Sequence, residues 1–121
     1  MTARHVRLIA LLLGAASAWN ARHVNNPAGI SYLDIADAYM RGDFTNAINA
    51  YWSPLYSLLL GPALAVIRPG PYYEASVAHL VNFLIYCAAM VTFDRLLQAV
   101  MHRSRERGGW LPERLWILFG Y

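Results

Sequence analysis

Residues Ala75 to Phe93, ASVAHLVNFLIYCAAMVTF, decide the fold class of this chain. In nineteen consecutive positions only His79 and Asn82 are strongly polar, and the helical pattern of apolar residues continues through Leu96, Leu97 and Val100 to about His102. That is the length and composition of a membrane-crossing helix, which needs about 20 apolar residues. His79, Asn82 and Tyr86 fall on one face of it. Polar groups so placed either bond between helices or line a cavity. Cys87 packs as a small apolar residue. Asp94 and Arg95, towards the far end, are expected to pair and snorkel.

Working outward, the stretch from His102 to Arg114 carries four arginines in thirteen residues, whereas residues 20 to 73 carry three in fifty-four. The asymmetry places 103–114 in a cytoplasmic loop and 21–73 outside, by the positive-inside rule. Residues 115–121 begin another apolar run, expected to open a further transmembrane helix. The chain is accordingly read as the N-terminal part of a larger polytopic protein. At the other end, Val6 to Trp19 is an apolar run broken by Arg7. Two readings stand: a signal peptide ending in Ala16-Ser17-Ala18, or an uncleaved first transmembrane helix over residues 1–20 with Arg4 and Arg7 snorkelling. The second is favoured because more apolar segments follow.

The bulk numbers agree with a membrane setting. Of 121 residues 58% are hydrophobic and 14% charged, against roughly 25% charged in an ordinary soluble domain. The net charge of +3 is all arginine in origin, with no aromatic-interleaved basic patch, which argues against a nucleic-acid partner. One cysteine excludes an internal disulfide and a multi-cysteine zinc site.

The polar, patterned part of the chain is residues 27–56, PAGISYLDIADAYMRGDFTNAINAYWSPLY. After an Asn20–Gly29 connector, Ser31 followed by Asp34 predicts a helix N-cap with an acid in the first turn, and Gly42 predicts the stop. On that helix Tyr32, Leu33, Ile35, Ala36, Tyr39 and Met40 share one arc, and Asp34, Asp37, Ala38 and Arg41 the other. Asp43 is expected to cap a second amphipathic helix, Phe44 to Tyr51, lying flat on a surface. Ser53-Pro54 opens a third, Leu55 to Ile67, containing Gly61-Pro62 and too short for a full span. The cluster Arg68-Pro69-Gly70-Pro71 ends it, and Tyr72 and Tyr73 suit a headgroup belt, as do Trp19, Trp52, Trp110 and Trp116.

Asp34 and Asp37 are the candidate catalytic carboxylates. A general base must take the proton of an attacking hydroxyl, and a helix at the lipid surface would hold it where a lipid-linked substrate arrives. Arg41 is the candidate for a phosphate leaving group, with Tyr32, Trp52 and Tyr56 as further substrate-binding candidates. Plainer roles stand beside these: an acid favoured by the helix dipole, an exposed i,i+4 ion pair between Asp37 and Arg41, interface anchors.

The block SYLDIADAY, followed by Gly42-Asp43 and NAYWSPLY, placed after a first membrane helix, resembles the start of the GT-C membrane glycosyltransferases. The likeness is to the group that includes protein mannosyltransferases and bacterial lipid-A aminoarabinose transferases. It implies an all-α polytopic integral membrane fold, with a polyprenyl-phosphate sugar as donor and transfer with inversion on the outer side of the cytoplasmic membrane. It implies an essential acid in the first outer loop, matched here by Asp34. Where members of the group commonly carry an Asp-Glu or Asp-Gly pair about four residues before the position of Tyr32, this chain has Ala28-Gly29. No cofactor is required beyond the lipid-linked donor, and a divalent metal is left open. The rival expectation is a non-enzymatic membrane protein, a transporter segment or accessory subunit.

Overall fold

The computed structural model describes residues 3–106. The expected further helix at 115–121, most of the 103–114 loop, and the anchors Trp110 and Trp116 lie outside the described residues. Those described form five α-helices and one 3₁₀ turn, with no strand among them: α1 Ala3–Ala21, α2 Pro27–Met40, α3 Phe44–Ala47, α4 Pro54–Ile67, the turn Pro71–Tyr73 and α5 Glu74–Glu106. The all-helical expectation holds.

The contacts divide into two units. One joins the residues up to Gly14 to those from Leu84 onward; the other is Ala15–Phe83. In the first, α1 is tied to α5 by the Arg7–Asp94 ion pair and by the Tyr86 hydroxyl, which donates to the Ala10 carbonyl at 3.1 Å. Gly14 passes against the Tyr86 ring, where a Cβ would lie 2.6 Å from the ring edge. Asp94 therefore pairs with Arg7 rather than with Arg95 as expected. Consecutive residues on a helix point about 100° apart and do not face each other. Gln98 donates a second hydrogen bond to Asp94 at 3.0 Å.

In the second unit, α2 and α4 pack through a small core of Leu33, Ala36 and Leu60 with Val81 of α5. The approach is close because the contact residues are small. Gly61 leaves no room for a side chain beside Met40, whose Cε would be 2.9 Å from an added Cβ. Ser57, fully buried, donates its hydroxyl to the Tyr32 carbonyl at 3.1 Å. Helix α4 runs on through Pro62, which has no N–H for the carbonyl of Leu58.

Helix α2 starts earlier than the Ser31 cap predicts. Its cap is Asn26, whose side chain accepts from the Gly29 N–H at 2.7 Å, with Pro27 at the first helical position. Asparagine followed by proline is the stronger start: the cap oxygen is supplied and φ is preset. Ser31 instead donates back to the Pro27 carbonyl at 3.1 Å, as helical serines do. The connector shrinks to residues 22–26. The stop at Gly42 is as expected: φ is +72°, the Gly42 N–H bonds the Tyr39 carbonyl and the Asp43 N–H bonds that of Ala38. That pair of bonds is the Schellman motif. The predicted arc is right for Leu33, Ile35 and Ala36 and wrong for Ala38, which is buried. Met40, in turn, is exposed at the edge.

Asp43 caps α3 as predicted, accepting from the Asn46 N–H at 3.3 Å, but α3 is one turn, not the eight residues expected. Asn49 ends it by accepting from the N–H groups of both Tyr51 and Trp52, at 3.0 and 2.7 Å. A side chain that offers the backbone an acceptor competes with the helix ladder. No flat amphipathic face results: Ala47 is buried, while Phe44, Ile48 and Tyr51 are exposed.

Among the described residues one helical segment, Pro71–Ser104, is long and apolar enough to cross a membrane. Only 11% of its most apolar window is buried against protein. The buried core helix of a soluble domain would have most of that window covered. Helix α1, with Arg4 and Arg7 in it, does not meet the same measure.

Candidate functional site

Because α2 begins at Pro27, Asp34 is its eighth residue, two turns from the N-terminus. The helix dipole acts within the first turn, so it does not account for an acid there. Asp34 and Asp37, three residues apart and both exposed, lie on the same side of α2 and line a groove of ≈ 290 Å³. Across it run α4 and its end, contributing Leu64 and Arg68, and Glu74 completes it from the start of α5. The close crossing at Gly61 and Met40 forms part of its lining. The groove thus holds three carboxylates and one guanidinium, near the lower end of the size range of small-ligand sites.

Arg68 reaches this position through an unusual backbone. It caps α4 with φ 49° and ψ 54°, the left-handed conformation, its N–H bonded to the Leu64 carbonyl at 2.8 Å. Pro69 disfavours the right-handed helical region for the residue before it, so the helix must turn out here. A side chain in that region costs about 1 kcal/mol that glycine would not. Its Nε donates to the Ala65 carbonyl at 3.3 Å, which orients the head.

The other sequence candidates are arranged differently. Arg41 pairs with Asp37 at 2.7 Å in the i,i+4 geometry, but the two side chains are 66% and 57% exposed. Such a pair contributes less than about 1 kcal/mol. Tyr32, Trp52 and Tyr56 do not line the groove; they form an aromatic cluster against the α2–α4 core. The Tyr32 ring meets Trp52 and Tyr56 edge to face, each with centroids 5.0 Å apart. Burial raises the Tyr56 hydroxyl above its ordinary range, partly offset by a hydrogen bond with the Asn82 side chain. Their evident work is packing.

Arg68 and Glu74 are the groove residues that sequence reasoning missed. Arg68 sat in the Arg-Pro-Gly-Pro terminator and Glu74 in no pattern at all. The one available signal was Gly61, a small residue on an apolar helix, which marks where another backbone approaches. The position at which the resemblance expects an Asp-Glu or Asp-Gly pair, 28–29, is the first turn of α2, and there the Gly29 N–H serves the cap. Asp34 and Asp37 are the carboxylates that α2 carries.

No protein-family model, no curated protein and no solved structure matches the chain. Among the described residues no group of three or more His, Cys, Asp or Glu side chains is arranged to hold a metal ion.

Proposed function

We propose that this chain contributes the outer-surface acceptor site of a multi-pass membrane glycosyltransferase, one that moves a sugar from a polyprenyl-phosphate carrier. The observation that carries the reading is the groove: Asp34 and Asp37 stand with Arg68 in one cleft. In the reaction, Asp34 takes the proton of an acceptor hydroxyl while that oxygen attacks the anomeric carbon. The bond from that carbon to the phosphate oxygen breaks, and its electron pair stays on the phosphate. Arg68, which lines the groove, meets the charge that develops there, with Arg41, the ion-pair partner of Asp37, as a second cation. Asp37 holds Arg41 in place.

The membrane setting draws support from surface chemistry. Leu8, Leu12 and Leu13 on α1, Leu55 and Val66 on α4, and Leu84 and Leu96 on α5 are all exposed. Apolar surface of that extent is costly in water and indifferent in lipid. In the reading, α1 and α5 both cross the cytoplasmic membrane, with Arg7 neutralised by Asp94. The N-terminus is cytoplasmic, and α2 to α4 lie on the outer side. Arg4, Arg95 and Arg103 then fall on the cytoplasmic side.

The test is sugar transfer in membranes supplied with a polyprenyl-phosphate sugar. Asp34→Asn is expected to lower the rate by roughly 10²- to 10⁴-fold, the usual loss on removing a general base. Arg68→Lys is expected to retain part of the rate, since charge persists without the planar fork. Wild-type rates in both Asp34→Asn and Asp37→Asn would sink the catalytic reading and favour the accessory-subunit one.

A further inference from the structure

The end of α1 and the start of α5 enclose a second recess with chemistry of its own. Two side chains of α5 clasp the chain that leaves α1: the Ser76 hydroxyl donates to the Arg22 carbonyl at 2.8 Å, and His79 Nε2 lies 2.9 Å from that of Val24. A carbonyl only accepts, so Nε2 carries the hydrogen. Between the end of α1 and α5 lies a groove of ≈ 270 Å³, lined by the apolar Ala18, Leu80 and Phe83 and by Trp19, Arg22, Ser76 and His79. The Arg22 guanidinium sits 4.2 Å over the Trp19 ring and spends one N–H on the Trp19 carbonyl at 2.7 Å. Among the described residues, no carboxylate lines this groove and Arg22 forms no ion pair. A cation held over an aromatic, in the lining of an otherwise mostly apolar slot with no anion beside it, is complementary to an amphiphile with a negative head.

Depth narrows the choice. The candidate span begins at Pro71, so Ser76 and His79 lie about 7 to 12 Å along it, at 1.5 Å per residue. Ser76 and His79 therefore stand towards the Pro71 end of the candidate span and not at its middle. We infer that this groove seats one bilayer phospholipid with an anionic headgroup, its phosphodiester accepting from Arg22 and one acyl chain lying along Ala18 and Phe83. The inference rests on α5 crossing the bilayer and is independent of sugar transfer.

The experiment uses the full chain purified in detergent and reconstituted with phosphatidylglycerol or phosphatidylcholine, with retained lipid read by mass spectrometry after washing. Phosphatidylglycerol is expected to stay at about one per chain and phosphatidylcholine to wash away. Arg22→Gln is expected to weaken retention roughly tenfold or more, the loss of a charge-assisted hydrogen bond, while Arg95→Gln, also one charge fewer, retains it. Ala18→Leu fills the slot without touching charge and is expected to lose the lipid too, which keeps the test decisive if Arg22→Gln misfolds. Equal retention of both lipids, full retention by Ala18→Leu or by folded Arg22→Gln, or displacement by inorganic phosphate or a polyprenyl phosphate at equal concentration would overturn the assignment. Carbonate extraction of wild-type membranes separates the two layers: a chain released by carbonate refutes the spanning helix itself, and the lipid seat with it.

Discussion

Helices α2 and α4 are held together in one way, α1 and α5 in another. The first pair meets through small residues and a compact core, with Leu60 and Ala36 fully out of solvent and Ser57 satisfied across the contact. The second is linked at separate points: Arg7 to Asp94 and Tyr86 to Ala10 in one unit, Ser76 and His79 to the chain after α1 in the other. Apolar side chains of α1 and α5 meanwhile face outward. On the proposed membrane reading, the difference follows from the solvent around each pair. Where water surrounds the contact, burial of apolar surface drives packing. In lipid that drive is absent, and polar links and close approach hold helices together.

That contrast is breakable. Leu60→Ala should destabilise the α2–α4 pair by about 2 to 5 kcal/mol, the cost of an emptied core position, measured by denaturant unfolding of the detergent-solubilised chain. A loss near zero would mean the pair does not depend on its core. For the α1–α5 links, Asp94→Leu alone should cost about 1 kcal/mol or less, since the Arg7 side chain is 40% exposed. Adding Arg7→Leu should recover most of it, because a matched apolar pair avoids desolvating charge. A double variant worse than the single would show the ion pair to be a net stabiliser.

Two pH responses sharpen the comparison at smaller scale. The folded-state value of Tyr56 is raised, so its contribution is complete below the unfolded value of about 10 and declines as pH climbs through that value and the higher folded one. Thermal melts between pH 9 and 12 should show this decline, and Tyr56→Phe should flatten it. Asp43 moves the other way. Its carboxyl is lowered by hydrogen bonds from the Asn46 side chain and N–H, with Arg41 adding a little. Its cap is therefore intact above about pH 4 and lost as pH falls through the lowered folded value. The Asn46 amide resonance should titrate with it, with no detectable change in global stability.

Local signals were read well where one residue decides, and poorly where two compete. Gly42 stops α2 and Asp43 caps α3 because only a left-handed position and an Asx acceptor satisfy those backbone groups. Ser31 misled because its hydroxyl serves equally as a cap or as a donor to the preceding turn, and Asn26-Pro27 had already started the helix. Asn49 was overlooked as a terminator for the same reason: its carbonyl competes with the helix only once the chain has turned. The polar face of α5 does both things open to it: His79 and Tyr86 each bond a backbone carbonyl, Asn82 bonds Tyr56, and His79 also lines a groove. Partners distant in sequence were not legible. Arg7 lies 87 positions before Asp94, and the placing of Arg68 and Asp34 along one groove depends on how two helices cross.

Pro62 carries a consequence for where α4 can reside. By withholding an N–H it leaves the carbonyl of Leu58 without its donor four residues on, and Leu58 faces outward on a helix that is otherwise apolar. In hydrocarbon an orphaned carbonyl costs several kcal/mol; beside water it costs almost nothing. The imino acid thus works as a float. On the proposed membrane reading it would keep this one turn at the waterline, so that α4 would ride the membrane surface and not sink through it.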